Sequence, residues 1–533
     1  MAQFEIPYFE ALFSTLSRLF SFQLSAFRFL PLASLVPGNP PPLSFGSAKL
    51  LEHFRAPKQR LPLHPLEKAV LAAVAIHLCF LPWALGTMHP WSQVTSVALA
   101  SIGMLLALIP RNYSPDFSGG PAFRLNPWPR LFRFPIFWIG AALLGYIALQ
   151  ASNPSWVWTR NATSWWLVRV NDLEWLPTSI EAPFERFNAW RQFIIYAAAW
   201  LTVCTVWTGF TRRKSLQVLL TVLVGNAILL TIFGFAQKIM KAPKVMGLIP
   251  IDRLFSPFAS FIYKNHAGAY LALVALIAVS LTIWTFVQGE RANRKSTPAG
   301  LFFLCALLLT AAVFFTLSRG ASILLVFGWL AVGGWFWFSR RHARSAGSTH
   351  PGVYAAVVLM FLAAVGFTIR EVDLSSIQTR FDSLARNYQS PEESVMGRTQ
   401  AFAAADTMLG DYWLRGVGAG GFRHLYPEYI KQYPQIYAEG RLFWEHAHSD
   451  WREIPIELGV TGSLLLLLGG GYWLMALYRG RALWHSLAVP VLIGCSQTLV
   501  HAWFDFPFQS PAILCTWMAL IVTSVRWLEL DSA

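Results

Sequence analysis

Between Ala69 and Trp527 the chain returns repeatedly to apolar runs of about 17–25 residues. At 1.5 Å rise per residue, a helix of that length crosses the hydrocarbon core of a bilayer. A water-soluble fold has no interior large enough to bury so many of them. Charged residues make up only 13% of the chain, about half the roughly 25% of an ordinary soluble domain. That excludes a soluble enzyme, a disordered chain and a small disulfide scaffold. Hydropathy predicts about twelve spans, at 69–86, 92–110, 134–151, 191–210, 215–239, 267–287, 301–317, 321–338, 353–369, 454–478, 486–503 and 510–528. The expected fold is all-α and polytopic, with a large helical loop between spans nine and ten.

The charge pattern orients the spans. Lys and Arg outnumber Asp and Glu by 42 to 27. The excess collects in the connectors that carry Arg111, Arg124, Arg130 and Arg133, then Arg212, Arg213 and Lys214, then Arg291, Arg294 and Lys295, then Arg340, Arg341 and Arg344, and last Arg479 and Arg481. Alternating spans put all of these on one side, which the positive-inside rule makes cytoplasmic, with both termini. Basic loops facing anionic lipid account for the charge, so no nucleic-acid partner is expected. The five cysteines all fall inside apolar runs with no metal-like spacing and read as free thiols.

Four segments follow. Residues 1–68 form an N-terminal cytoplasmic or interfacial segment, whose apolar stretch is broken by Arg18 and Arg28. Residues 69–369 hold spans one to nine, 370–453 the large outer loop, and 454–533 the last three spans. A Trp-rich outer segment at 152–190 is expected along the membrane surface, and 240–266 is unusually basic for an outer loop. A loop as long as 370–453 is expected to carry function.

No phosphate-binding loop, HExxH pair or EF-hand is present, and no acidic pair sits mid-span. The polar residues with chemical capacity fall instead on the outer side. Arg319 occupies a turn with almost no loop; it either snorkels to headgroups or offers a planar fork to a phosphate-bearing lipid. An Arg costs about 2.5–3.5 kcal/mol at a span centre and less near its end. His446 and His448 are two residues apart, which rules out a shared helix face. With Glu445 and Asp450 beside them, either imidazole suits base catalysis on a sugar hydroxyl. The glycines at 416, 418, 420 and 421 follow no strand, so a turn is preferred over a phosphate cradle. His266 either caps span six or faces substrate. His77, alone on an apolar span, is expected in the core.

Taken in order, these pieces resemble the bacterial O-antigen ligase and Wzy-type polymerase family over about residues 190–515. The motifs are Gly234-Phe235-Ala236-Gln237, Asn265-His266-Ala267-Gly268-Ala269-Tyr270-Leu271, Leu317-Ser318-Arg319-Gly320, Gly397-Arg398, and Leu414-Arg415-Gly416-Val417-Gly418. His446-Ala447-His448-Ser449-Asp450 and Glu457-Leu458-Gly459 follow, and His501 to Pro507 closes the set. Ser449 stands where the family usually has Asn.

The resemblance implies a glycosyltransferase in the bacterial inner membrane, with its active site and the large loop facing the periplasm. It implies an undecaprenyl diphosphate-linked glycan donor and an acceptor hydroxyl on lipid A-core, for lipopolysaccharide biosynthesis. A polymerase would use a second lipid-linked glycan as acceptor, as in O-antigen or exopolysaccharide assembly. The family is inverting and metal-independent, so no cofactor is expected. His448 is then the expected general base and His446 the second choice, with Arg319 and Arg398 stabilising the diphosphate. Arg253, Lys264, Asn265, His266, Arg380, Asp450, His501 and Asp505 are expected to bind or orient substrate. A protein O-oligosaccharyltransferase is a further variant. A lipid or polysaccharide transporter is a different class, which would show related halves and midplane polar groups.

Overall fold

The computed structural model describes residues 61–118, 121–247, 249–250, 257–294, 296–343, 395–437 and 443–532. The segment before residue 61, the expected ninth span, Arg253 and Arg380 lie outside them. Among the described residues, nine helices are long and apolar enough to cross a membrane, and two shorter apolar helices accompany them. In order these are α1 (Pro65–Trp83), α2 (Pro90–Ala107), α3 (Pro135–Ser152), α4 (Ala189–Gly209), α5 (Arg213–Ile239), α6 (Lys264–Arg291), α7 (Ala299–Phe315) and α8 (Arg319–Ala343). After the large loop come α11 (Asp450–Arg479), α12 (Ala488–His501) and α13 (Pro511–Ser532), while α9 (Val395–Tyr412) and α10 (Phe422–Ile430) belong to the loop itself. The chain is a multi-pass membrane protein.

Helix placement follows backbone accounting, since lipid offers no hydrogen-bond partners. Prolines open α1, α2, α3 and α13, where the missing N–H costs nothing. α6 is buried along nearly its whole length. Its Gly268 and its many alanines let α7, α12 and α5 approach closely. The buried Glu67 of α1 accepts hydrogen bonds from Thr211 N (2.9 Å), Arg212 N (3.1 Å) and Ser215 Oγ (2.6 Å), so it caps the start of α5 from a neighbouring helix. That end of the bundle holds the basic connectors: Arg212 donates to Phe117 O, Arg526 to Phe210 O, and Trp335 to Leu483 O. His77 sits in the core, bonded to Ser96 Oγ (2.8 Å) and Thr202 Oγ1 (3.2 Å). All five thiols are free.

The opposite end carries the larger connectors, and two findings there go beyond the helical expectation. First, 153–188 is built around a small three-stranded sheet. β1 (Pro154–Arg160) and β2 (Trp165–Arg169) form an antiparallel hairpin, and β3 (Ser179–Glu181) pairs with β1 in parallel, so β1 is the central strand. Alternating Trp, Val and Thr suit a strand. Asn161 Oδ1 closes the turn by accepting from Thr163 N and Ser164 N. The sheet shares an apolar core with α9 and α10, through Ile180, Ala404, Met408 and Phe422.

Second, α11 breaks at Gly459, whose φ of 61° and ψ of −169° are accessible to glycine. The break frees the carbonyls of residues 456–458, and each finds a donor. Val417 N reaches Ile456 O (2.9 Å), Gly418 N and Gln150 Nε2 reach Glu457 O (3.0 Å each), and Tyr146 Oη reaches Leu458 O (2.7 Å). In return Val460 N donates to Leu414 O. Gly416, at φ 71°, presses backbone to backbone against this break. The glycine cluster is therefore a turn that locks the loop onto α11, as its sequence context favoured.

Candidate active site

The site is assembled where the turn between α12 and α13 meets the start of α6, the start of α8 and the strap 443–449. Asp505, in that turn, is buried. Its Oδ2 accepts from Asn265 Nδ2 at 2.5 Å, and its Oδ1 from Phe506 N at 2.9 Å and Tyr263 Oη at 3.4 Å. His501 Nε2 lies 3.7 Å from Oδ2. Burial pushes this carboxyl up, but His501, Arg398, His448 and His266 together pull it below the ordinary Asp value. Asp505 is thus an anchored anion.

Phe506 is the hub around which the rings are arranged. His446 stacks on it at 4.4 Å and Tyr263 at 5.1 Å, while His448 and His266 meet it edge-on at 5.0 Å each. His266 Nε2–H donates to Phe506 O (3.1 Å), which fixes that tautomer. Asp450 ties the strap to the same turn: its N–H donates to Asp505 O (3.2 Å), and its carboxylate accepts from Phe508 N (2.9 Å).

The two strap histidines differ in what holds them. His446 Nδ1 shares a 2.7 Å hydrogen bond with Glu453 Oε1, and Ala447 N donates to Glu453 Oε2 at 2.8 Å. Arg423 Nη2 donates toward His446 Nε2 at 3.5 Å. Both ring nitrogens are therefore engaged, with the proton on Nδ1. Burial, then Arg423, lowers this imidazole to about 3. His448 has a left-handed backbone, φ 51°, a conformation few non-glycine residues adopt. Its ring is held edge-on between Trp444 (5.3 Å) and Phe506. Among the described residues its buried Nδ1 has no hydrogen-bond partner. Burial, then the charge of Arg398, lowers it to about 3, so the ring is neutral at pH 7.

Two cations border this cluster. Arg398, in the first turn of α9, donates to Phe504 O at 3.0 Å, and its charge is felt at His448, His501 and Asp505. Arg319 is the exposed first residue of α8. The next residue, Gly320, packs so tightly that a Cβ there would lie 2.8 Å from the Phe504 ring and 3.1 Å from His501 Nε2. A Cβ on Gly268 would likewise meet Ser318 and Ala321 at 2.7 and 2.8 Å. These glycines explain why the Asn-His and Ser-Arg-Gly motifs can meet. Lys264, half-buried, opens α6 beside them.

Of the residues singled out by sequence, the structure gathers His446, His448, Arg398, Asn265, His266, Asp450, His501 and Asp505 into one cluster, with Arg319 and Lys264 at its edge. Sequence reasoning missed Glu453, Arg423, Tyr263 and Phe506. Glu453 had a signal: an acid in the first turn of an apolar helix demands a partner. Among the described residues no three His, Cys, Asp or Glu side chains gather to hold a metal ion.

The family model described as O-antigen ligase matches residues 304–467. The family resemblance carried by the motifs holds across this region. The match runs from α7 into α11 and includes Arg319, Arg398, Arg423, both strap histidines and Glu453. The O-antigen ligase match and the membrane helices support a membrane glycosyltransferase of the ligase or polymerase type. A search of curated proteins found no match for the chain.

Proposed function

We propose that the protein is an O-antigen ligase-like glycosyltransferase. It moves a glycan from undecaprenyl diphosphate to an acceptor sugar hydroxyl on lipid A-core, at the periplasmic face of the bacterial inner membrane. The observation that carries this reading is a buried neutral imidazole, His448, packed on Phe506 among Asp505 and its partners, with the guanidinium of Arg398 close enough for its charge to be felt there. The reaction needs a base for the acceptor hydroxyl and fixed cations for the diphosphate leaving group.

His448 accepts the acceptor proton as the hydroxyl oxygen attacks the anomeric carbon. The bond from that carbon to the diphosphate oxygen breaks, with inversion, and the charge that grows there falls to Arg319 and Arg398. Arg253, Lys264 and Arg380 are further contacts for the diphosphate or glycan. Asn265, His266, Asp450, His501 and Asp505 orient the substrate and the base. His446 is the second choice as base because Glu453 and Arg423 already occupy its two nitrogens. No step in this sequence requires a metal. The basic connectors, at the other bundle end, then face the cytoplasm.

The test is reconstitution with purified undecaprenyl diphosphate-linked repeat units. Transfer on addition of lipid A-core supports the ligase reading. A ladder of longer glycans without lipid A-core would replace it with a polymerase that uses lipid-linked glycan as acceptor. Release of no undecaprenyl diphosphate under either condition would overturn it.

A further inference from the structure

The outer hairpin brings a second group of residues together, away from the His448–Asp505 cluster. Trp156, Leu425, Tyr412, Tyr429 and Glu428 line a cleft of about 230 Å³ between β1 and the α9–α10 pair. That volume is below the usual range for drug-sized ligands, about 300–1,000 Å³, and suits one small cyclic unit. Its chemistry is specific. Three aromatic rings and one aliphatic side chain make the walls, and carboxylates stand at the edge. Tyr429 Oη donates to Asp411 at 2.6 Å, Glu428 is exposed and pairs with Lys431 at 2.6 Å, and the Arg169 guanidinium lies 5.8 Å from the Trp156 ring. Aromatic faces with carboxylates beside them match a pyranose, whose C–H face packs on a ring while its hydroxyls donate to acids.

Two further observations connect the cleft to the His448–Asp505 cluster. α9 carries Arg398 near its start and Tyr412 at its end, 14 residues apart, so the two places are about 21 Å apart along one helix. The pairing of β1 with β2 also sets Trp156, Trp158 and Trp165 on one face of the hairpin. Trp165 contacts Phe443, where the strap bearing His446 and His448 begins (6.2 Å between rings). An aromatic path thus runs from the strap to the cleft. The hairpin lies outside residues 304–467, so one wall is supplied by the family-matched helices and the other by a part of the chain beyond them.

We infer that this cleft is a saccharide subsite, which binds a sugar several units away from the bond being transferred. The inference rests on the glycan-transfer reading for its ligand, but not on the chemistry of His448. The bound sugar belongs either to the donor glycan or to the acceptor glycan, and the same contacts serve both.

The test uses the full chain in detergent and two probes: oligosaccharide released by mild acid from the donor glycan, and lipid-free core oligosaccharide. Binding is read by tryptophan fluorescence. Saturable binding of one probe is expected, equal in His448→Ala and weakened about tenfold in Glu428→Gln and Tyr429→Phe. Glu428 is exposed, so its substitution leaves the fold intact. The probe that binds assigns the subsite to donor or acceptor. Glu428→Gln should also raise KM about fivefold or more for the long glycan of that substrate and leave a single-sugar version unchanged. No binding of either probe, or equal binding by all variants, would overturn the inference. Binding by a chain that transfers nothing would leave the subsite standing and remove the transferase reading instead.

Discussion

Replacing Glu453 with Ala tests the strap most sharply. Its carboxylate serves two buried donors, His446 Nδ1–H and Ala447 N–H, at 2.7 and 2.8 Å. His446 is 7% exposed and Ala447 is fully buried, so water cannot replace the lost partner. Leaving a buried polar group unpaired costs about 1–3 kcal/mol, which gives about 2–6 kcal/mol for the pair. The strap carries His448 one residue further on, so the loss falls on the active geometry. The low end alone, about 2 kcal/mol, corresponds to a roughly 30-fold fall in kcat/KM. Glu453→Gln leaves one acceptor oxygen able to serve one of the two donors, so its loss should be about half as large in free energy. The assay is glycan transfer by each purified variant, with thermal unfolding in the same detergent. Wild-type turnover and wild-type Tm in Glu453→Ala would refute the claim that Glu453 holds the strap.

Other consequences follow from the same geometry. Gly459→Ala would place a Cβ 2.6 Å from Leu414 O at a glycine-only backbone angle, a cost of about 2–6 kcal/mol from strain and displacement together; the folded yield and Tm should drop, and an unchanged Tm would contradict the lock. His448 and His424 are lowered from 6.5 to about 3 and about 4 in the folded chain. Unfolding therefore takes up protons below pH 6.5. Their stabilisation is complete above that pH and is lost as pH falls toward 4, by about 2 kcal/mol each at pH 5. Tm measured from pH 7.5 to 4.5 should fall, and His424→Gln should flatten part of the slope. Arg319→Lys keeps the charge but not the planar fork, so transfer should fall about tenfold or more while Tm holds; full activity would assign Arg319 to lipid headgroups.

The membrane helices were legible because the bilayer imposes one length and one backbone solution, so hydropathy alone located α1 to α8 and α11 to α13 to within a few residues. α12 is shorter than expected, because Trp503 to Pro507 leaves the helix to form the turn bearing Asp505. The sheet at 154–181 was not read from the sequence, because many tryptophans near a membrane boundary usually mark an interfacial belt. Here the alternation of Trp156 and Trp158 across a tight Asn161 turn was the better signal. Asn265, His266, His501 and Asp505 lie far apart in sequence, and the motifs picked them out singly. Their convergence depends on Gly268 and Gly320 allowing α6, α8 and α12 to touch, a packing fact without a periodic signature. Glu453 and Arg423 stayed hidden because each acts on His446 from a different element.

The most direct measurement is release of undecaprenyl diphosphate by wild type and His448→Ala, side by side, with one purified lipid-linked repeat unit and lipid A-core present. The account predicts release and glycan transfer by wild type, and neither by a folded His448→Ala that keeps the wild-type Tm. Equal release by the two proteins would remove His448 as the base, and no release by folded wild type would contradict the transferase itself.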